Sequence, residues 1–377
     1  MPNKTIVKRK RIIGIDVLRI LSMFFIINHH IIYHGGPLLG TKKLSLGNNL
    51  LLFLNTIFCS GVNIFGMISG FVGFQRHKYS NLIFLLFQTY VYNYGIAFLL
   101  KQTKVKHIDL HHFLFPLFAG NYWYFSEYFI LYFFLPLLNS GIKFMEKKEF
   151  GIFNLSLFIF FSCFNQIKHY SRILNRDFLH FNNGFTYMWL IILYFFGSYL
   201  GRIKNNNHNC NTIFTFFICF TLLNCIAFLR NVLIKYKINK YNNDDGMKVE
   251  YTSPSSLLIC FCFFIMFSDI NINNRILQKI ISFFAPLTYG IYLLHNHILV
   301  LNYIIKNKYY WLLEYNLFKL IVIELFESLK IFLFCSIIDY LRLLLFKILK
   351  IRQLSIFISY IASQIGNRII LICEKIS

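Results

Sequence analysis

The amino-acid sequence predicts an all-α, polytopic integral membrane protein, and three observations support this fold class. Hydrophobic residues make up 57% of the 377 residues and charged residues only 14%, whereas a soluble globular domain carries about 25% charged residues. The mean hydropathy of the whole chain is +0.56. Apolar stretches long enough to cross a bilayer of about 30 Å recur along the chain. Together these values exclude a soluble enzyme, a disordered chain and a disulfide scaffold.

Ten apolar segments are predicted to span the membrane as helices. Backbone polar groups in lipid must be hydrogen-bonded internally, which leaves only helices and closed barrels. The segments lack the period-two alternation of an outer-membrane barrel, so helices are expected. Five segments contain no Asp, Glu, Lys or Arg, and the other five are shorter or carry a few ionisable residues. In chain order the predicted spans are 12–33, 44–75, 79–100, 122–139, 150–167, 178–201, 205–229, 251–268, 280–305 and 319–346.

The distribution of basic residues predicts the orientation of these spans. The cluster Arg9-Lys10-Arg11 precedes the first span, and the segment 342–377 is also rich in Lys and Arg. Because cytoplasmic segments collect positive charge, both termini are predicted to be cytoplasmic. Residues 1–350 are therefore predicted to form a single ten-helix membrane domain, and residues 351–377 a cytoplasmic amphipathic tail.

The chain is strongly basic, with 38 Lys and Arg against 15 Asp and Glu. In a soluble protein this excess would indicate a nucleic-acid partner. Here the basic residues lie in short clusters between apolar segments, where they set topology and contact anionic headgroups. The predicted partner of the basic clusters is membrane lipid, and no nucleic acid is expected.

The first predicted span carries the densest set of ionisable residues. Arg19 and His30 are eleven residues apart, so on an α-helix they share one face and lie about 16 Å apart along the axis. Asp16 lies three residues before Arg19 and is placed to pair with it. An arginine suits a phosphate group and a histidine suits proton transfer near neutral pH. From spacing alone, a structural ion pair and a core histidine remain equally open.

Adjacent histidines do not by themselves indicate a metal site. His29 and His30 point about 100° apart on a helix and cannot both reach one ion from one face. The sequence contains no HExxH pattern and no Cys/His cluster. No metal ligand and no bound cofactor are predicted.

The first span also carries a resemblance to a known family. The stretch RIIGIDVLRILSMFFIINHHIIYH, from Arg11 to His34, resembles the opening helix of the acyltransferase-3 family of membrane O-acyltransferases, whose members include polysaccharide O-acetyltransferases. That family carries an Arg, ten intervening residues and a His in its first span, and this pattern falls on Arg19 and His30.

Three further stretches resemble the family's pattern in the same order. NIFGMISGFV (63–72) is similar to its second-helix SGF segment and includes Ser69. YWYFSEYFILYFFLPLLN (122–139) and LTYGIYLLHNHILV (287–300) are similar to a middle helix and to a helix near the end. Each stretch alone is a weak signal in an apolar chain, and the four in order are a strong one.

The resemblance implies transfer of an acyl group, usually acetyl, from cytoplasmic acetyl-CoA to a hydroxyl of a cell-surface glycan. It implies that the protein lies in the cytoplasmic membrane, that His30 is the catalytic residue, and that Arg19 helps to hold the donor or to orient the site. Asp16 is a candidate for the same site through its spacing from Arg19. Some members carry an Arg-x-x-Arg motif after the SGF segment. Here Arg76 is followed by His77, Lys78 and Tyr79, so the motif is incomplete, with Arg76 and Lys78 as possible contacts of the CoA phosphates.

Four other residues are candidates for supporting roles. Glu127 lies one helical turn after Trp123 and could orient His30 or contact sugar, or it could simply face water at the membrane boundary. His295 matches a family position and could belong to the site or pack in the core. Ser69, beside Gly70, is more typical of close helix packing than of catalysis.

Two other function classes remain open on the sequence. A polytopic transporter or flippase for lipid-linked sugars would share the size and the polar groups, but its charged residues should be spread over several broken helices. A glycan polymerase or glycosyltransferase should have a large, chemically rich outer loop, and the loop around 230–253 is mainly Lys and Asn.

Overall fold

The structure, a computed structural model, is mainly helical over the residues that it describes. It describes residues 11–42, 45–73, 78–102, 114–117, 122–165, 181–203 and 251–376, and within these ranges no residue lies in a strand. The all-α prediction is therefore confirmed for the described part of the chain. The helices are α1 (Ile13–His29), α2 (Pro37–Gly40), α3 (Leu46–Val72), α4 (Tyr79–Gln102), α5 (Trp123–Phe144), α6 (Lys147–Phe158), α7 (Tyr187–Ile203), α8 (Pro254–Ser268), α9 (Arg275–Phe284), α10 (Thr288–His295), α11 (Ile298–Val300), α12 (Leu317–Ile348) and α13 (Ile351–Ile376).

Several helices satisfy the requirements of a membrane span. By length and hydropathy these are the segments beginning at Ile13, Leu46, Tyr79, Trp123 and Arg275, while α7 and α8 are apolar but shorter. The protein is thus an integral membrane protein. The predicted span 205–229 lies outside the described residues, so the count of ten and the cytoplasmic termini stay predictions.

Three predicted spans differ from the observed helices. Span 178–201 becomes helical only at Tyr187, after a short 3₁₀ turn. Span 150–167 ends its α-helix at Phe158 and continues as a π-helical turn. Span 280–305 is interrupted by a 3₁₀ turn containing Pro286 and again after His295. Proline lacks a backbone N–H and forces such interruptions, and hydropathy does not register them.

The described helices run in two opposite directions, which gives the bundle two ends. At the end where α1 begins, called the basal end below, Gly14 lies against the Phe267 carbonyl at the end of α8. Also at the basal end, Tyr132 of α5 donates to the Lys78 carbonyl at the start of α4, at 2.7 Å. At the opposite, apical end, Asn307 donates its N–H to the His34 carbonyl at 3.0 Å.

Helix α1 lies inside the bundle, packed on α3, α8 and α12. Close packing depends on glycines at the crossings. A Cβ at Gly61 of α3 would lie 2.6 Å from the Ser22 carbonyl, and one at Gly70 would lie 2.0 Å from the Tyr194 carbonyl. Small residues allow such backbone approach between membrane helices. Gly70, in the SGF segment, therefore has a packing role.

The C-terminal helix α13 is docked on the bundle. It packs along α4, and Arg352 donates to the Asn81 side chain at 2.7 Å. Its large apolar side chains, including Phe357 and Ile365, are exposed, as expected of an amphipathic helix at a membrane. The domain boundary at residue 350 and the cytoplasmic location of this helix stay predictions.

Candidate active site

A small cavity lies beside His30, between α1, α3, α5 and α10. Its volume is about 20 Å³, which leaves room for a group about the size of one or two water molecules. Five aromatic side chains form half of its lining, and the His30 imidazole and the Asn296 amide add further polar groups. The lining residues are Met23, Ile26, His30, Val62, Phe65, Trp123, Tyr124, Tyr251, Tyr292 and Asn296.

The cavity borders the face of α1 that the spacing of Arg19 and His30 predicts. Met23, Ile26 and His30 line it, and Arg19 continues the same row one turn toward the basal end. Arg19 itself lies outside the lining. The two predicted residues therefore share a ridge, but the cavity occupies only its His30 half.

His30 begins a π-helical turn, His30–His34, that closes with a bond from the Gly35 N–H to the His30 carbonyl at 2.9 Å. Turns of this kind are frequent at functional sites. The His30 ring is buried, and its Nδ1 has no hydrogen-bond partner among the described residues. Three other imidazoles surround it, with ring centroids 5.7 Å (His29), 5.3 Å (His34) and 5.2 Å (His295) away.

His29 is engaged elsewhere. Its Nδ1 lies 2.7 Å from the Asn55 Oδ1 and 3.2 Å from the Cys59 Sγ, both on α3. These contacts hold α1 to α3 on the side away from the cavity. His29 is thus on a different face from His30, as helical geometry predicts.

Asp16 pairs with two arginines. Its Oδ1 lies 3.4 Å from the Arg19 Nη1, and its Oδ2 accepts from the Arg11 Nε. The predicted contact of Asp16 with Arg19 is present. Because one carboxylate serves two guanidinium groups, this cluster keeps an excess positive charge near the basal end.

Trp123 and Glu127 are separated by the fold, although they lie one turn apart on α5. Trp123 lines the cavity. The Glu127 Oε2 accepts a hydrogen bond from the Tyr187 N–H at 2.7 Å. This bond satisfies a backbone donor at the start of α7 that has no partner within the helix. Glu127 thus stabilises the start of a helix and is not brought to His30.

A row of tyrosines on α5 faces the α1 ridge. Tyr124, Tyr128 and Tyr132, here called the tyrosine ladder, follow one another at four-residue spacing. The first two rings are stacked with centroids 6.5 Å apart, and the next two are 6.2 Å apart. Tyr124 lines the cavity, and Tyr132 reaches the basal end. The Tyr-x-x-x-Tyr-x-x-x-Tyr spacing was readable from the sequence as a helical stripe.

Ser69 lies beside the middle of this ladder. Its hydroxyl is within hydrogen-bonding reach of Tyr128, which also interacts electrostatically with Arg19. Ser69 therefore belongs to the Arg19 half of the ridge rather than to the cavity.

His295 lies directly behind His30. It is buried on α10, and its Nδ1 is 2.6 Å from the Ile291 carbonyl oxygen. His297, two residues on, has a structural role: it accepts the Leu299 N–H at the start of α11 and bonds Asn93 at 3.1 Å. The helix break between these residues separates their environments.

Of the two residues predicted to contact the CoA phosphates, one lies among the described residues. Arg76 lies outside the described residues. Lys78 is exposed at the basal start of α4, close to the lower end of the tyrosine ladder. Among the residues that the structure describes, no group of three or more His, Cys, Asp or Glu side chains is placed to hold a metal ion.

A comparison with protein families decides what kind of protein carries this site. A family model described as an acyltransferase domain matches residues 12–338, nearly the whole chain. The chain belongs to the acyltransferase-3 family. The match includes three of the four stretches in full and the first stretch from Ile12 onward, and the prediction of the family is confirmed. No curated protein and no solved structure matches the chain.

Membership of the acyltransferase-3 family makes the protein a membrane acyltransferase. The transporter and flippase alternative receives no support from the comparison. One small cavity is lined by a buried imidazole and by side chains with hydroxyl, indole and amide groups. Such donors suit the negative charge that develops on a carbonyl oxygen during acyl transfer.

Proposed function

We propose that this acyltransferase moves an acetyl group from cytoplasmic acetyl-CoA to a hydroxyl of a cell-surface glycan, in the cytoplasmic membrane. The observation that carries the proposal is the buried His30 imidazole on a cavity of about 20 Å³. A cavity of this size suits a two-carbon acyl group better than a long chain. The aromatic wall around it, with Trp123, suits the apolar face of a sugar.

The donor enters from the basal end in this proposal. Arg19 shares its only described carboxylate with Arg11, so a guanidinium is available for a phosphate or pyrophosphate group. Lys78 at the basal surface, and Arg76 beyond the described residues, add positive charge for the CoA phosphates. The tyrosine ladder leads from this end to the cavity and is suited to line the pantetheine arm.

The reaction needs a base and an oxyanion site but no metal. His30 takes the proton of the acceptor hydroxyl as the oxygen attacks the thioester carbonyl carbon. The tetrahedral intermediate then expels the CoA sulfur, and the proton on His30 passes to the leaving thiolate. Hydrogen-bond donors of the cavity wall, such as Tyr292 and Asn296, stabilise the oxyanion. The acetyl thioester is already activated, so orientation of the two substrates supplies the rest.

The test is acetyl transfer by membranes that carry the protein. We expect His30→Asn to lower transfer from radiolabelled acetyl-CoA at least about a hundredfold, the usual share of a general base. His29→Asn makes the same change one residue away on another face and should keep most of the activity. Both variants should accumulate in the membrane at the level of the unmodified protein.

Two results would contradict the proposal. One is full transfer by the His30→Asn variant. The other is failure of the unmodified protein to consume acetyl-CoA in membranes that contain the acceptor. Acetyl analysis of surface polysaccharide, with and without the gene, identifies whether a glycan is the acceptor.

A further inference from the structure

Two buried nitrogen atoms beside the cavity have no hydrogen-bond partner in the described part of the chain. They are Nδ1 of His30 and Nε2 of His295. Both residues are buried, at 8% and 1% exposure, and their ring centroids are 5.2 Å apart. Buried polar atoms are nearly always hydrogen-bonded, so a pair of unpartnered nitrogens on neighbouring rings needs an explanation.

The bonding of His295 determines where its proton lies. Its Nδ1 is 2.6 Å from the Ile291 carbonyl oxygen. A carbonyl oxygen can only accept, so Nδ1 must carry the hydrogen. In the neutral ring the other nitrogen, Nε2, then holds a lone pair and can only accept. This is the atom that lacks a partner.

We propose that His295 is a positioning residue that orients His30 by accepting a hydrogen bond from its Nδ1–H. The centroid separation lets the two nitrogens come within hydrogen-bonding distance by a small rotation of the rings. This bond places the proton of neutral His30 on Nδ1. Its Nε2 is then the basic nitrogen, available to the cavity that His30, and not His295, lines.

The arrangement gives a chain of three groups, from the Ile291 carbonyl through His295 to His30. When His30 Nε2 takes the proton of the acceptor hydroxyl, the ring becomes positively charged. The Nδ1–H bond to His295 then strengthens, because its donor is now charged. The proton leaves again from Nε2 to the CoA thiolate, and His295 ends in the state in which it began. A third group that orients a catalytic base is the general logic of such sites.

The other two imidazoles do not take this role. His29 is bonded to Asn55 at 2.7 Å. His34 has a ring at almost the same distance from His30 as His295 has, 5.3 Å, but it is only partly buried and lies toward the apical end. His34 is therefore a matched control for proximity alone.

The test compares two substitutions of similar polarity at His295. His295→Asn can still donate to the Ile291 carbonyl but is too short to reach His30. His295→Gln places an amide oxygen near the position of Nε2 and can still accept. We expect kcat for acetyl transfer to fall by about 100-fold in the Asn variant, the cost of a base misplaced by about 1 Å, and to stay within a few-fold in the Gln variant. The KM for acetyl-CoA should be unchanged in both.

Two controls separate positioning from a general loss of structure. His34→Asn should keep kcat within a few-fold. The double variant His30→Asn/His295→Asn should be no slower than His30→Asn alone, because residues that act as one unit are not additive.

The positioning role of His295 rests on the proposed function of His30, so the outcomes must distinguish a failure of one from a failure of the other. If His30→Asn abolishes transfer but His295→Asn keeps full kcat, only the positioning role is overturned. Equal loss in the Asn and Gln variants, or a further loss in the double variant, also overturns it. If His30→Asn itself keeps full transfer, the proposed function fails, and the positioning role fails with it.

Discussion

Two segments of this protein contain the same five-residue pattern, Ile-Asp-x-Leu-Arg, and the structure places them in very different surroundings. One begins α1 and contains Asp16 and Arg19. The other lies near the end of α12 and contains Asp339 and Arg342. In each, the carboxylate and the guanidinium are three residues apart on one helix face. Their partners and their burial differ.

The α12 pair is enclosed, and of the Arg342 nitrogens only Nη1 lacks a hydrogen-bond partner among the described residues. The Arg342 Nη2 lies 2.8 Å from each Asp339 oxygen, with side-chain exposures of 5% and 0%. Asp339 also accepts from the Tyr92 hydroxyl at 2.5 Å and from the Gln88 amide at 3.1 Å, both on α4. This cluster ties α12 to α4 and leaves no net charge for a ligand.

The α1 pair is open and incomplete. Asp16 and Arg19 are joined by one described contact of 3.4 Å, and the Arg19 side chain is 28% exposed. Asp16 is also shared with Arg11. A single carboxylate between two arginines leaves a positive charge that can bind an anion. The comparison teaches that a sequence pattern of paired charges does not define a role, because the role depends on what else surrounds the pair.

The largest effect is expected from breaking the α12 pair. Asp339→Ala leaves Arg342 buried without its carboxylate, which costs about 3–5 kcal/mol of stability. The melting temperature in detergent should fall strongly. The double variant Asp339→Ala/Arg342→Ala should lose less than the single variant, because it removes the uncompensated charge. A single variant as stable as the unmodified protein would show that this pair is not a structural clamp.

Gly290 of α10 offers a second way to disturb the same cluster. A Cβ at this position would lie 1.8 Å from the Asp339 Oδ1. The carboxylate is held by several hydrogen bonds and cannot simply move aside, so Gly290→Ala should cost about 1–3 kcal/mol by overpacking. Thermal melting measures the loss. Gly366→Ala, where nothing lies within 4 Å, is the matched control, and an equal melting temperature in both variants would argue against the close approach.

How far the sequence predicts these features depends on whether their causes are local. The membrane class and the shared face of Arg19 and His30 follow from composition and helical period, which are local properties. The enclosure of Asp339 depends on Gln88 and Tyr92, about 250 residues away in the chain. Contacts of that kind cannot be read from spacing.

The same reasoning explains the roles of Glu127 and His295. The bond of Glu127 to the start of α7 joins residues 60 positions apart, so its distance from His30 was not visible in the pattern around Trp123. The position of His295 behind His30 requires the packing of α10 against α1. Its place in a family-like stretch made it a candidate, but its contact with His30 depends on how the two helices pack in three dimensions.

Substitution of Arg19 in the α1 pair should change the KM for acetyl-CoA more than it changes the stability of the protein. Arg19→Ala should raise the KM for acetyl-CoA about 10- to 100-fold, since a hydrogen bond to a charged group contributes about 1.5–3 kcal/mol. Arg19→Lys keeps the positive charge, so its KM for acetyl-CoA should lie between that of the unmodified protein and that of Arg19→Ala. The melting temperature should change little, because the lost contact is long and partly exposed. An unchanged KM together with a strong loss of stability would make this pair equivalent to the α12 pair.

The smallest effect on stability is expected from Asp16→Asn. Making the same substitution at Asp339 gives the most direct comparison of the two pairs. Asp16→Asn removes the negative charge of a buried carboxylate that two partly exposed arginines share. An ion pair whose partners are exposed contributes about 1 kcal/mol or less. Stability should hardly change, and the KM for acetyl-CoA should stay equal or fall a few-fold at low salt, where the added positive charge is least screened. Asp339→Asn, with its partner buried, should lose far more stability. If both Asn variants melt at the same temperature, the surroundings of the two pairs do not determine their roles, and the assignment of Arg19 to the donor loses its physical basis.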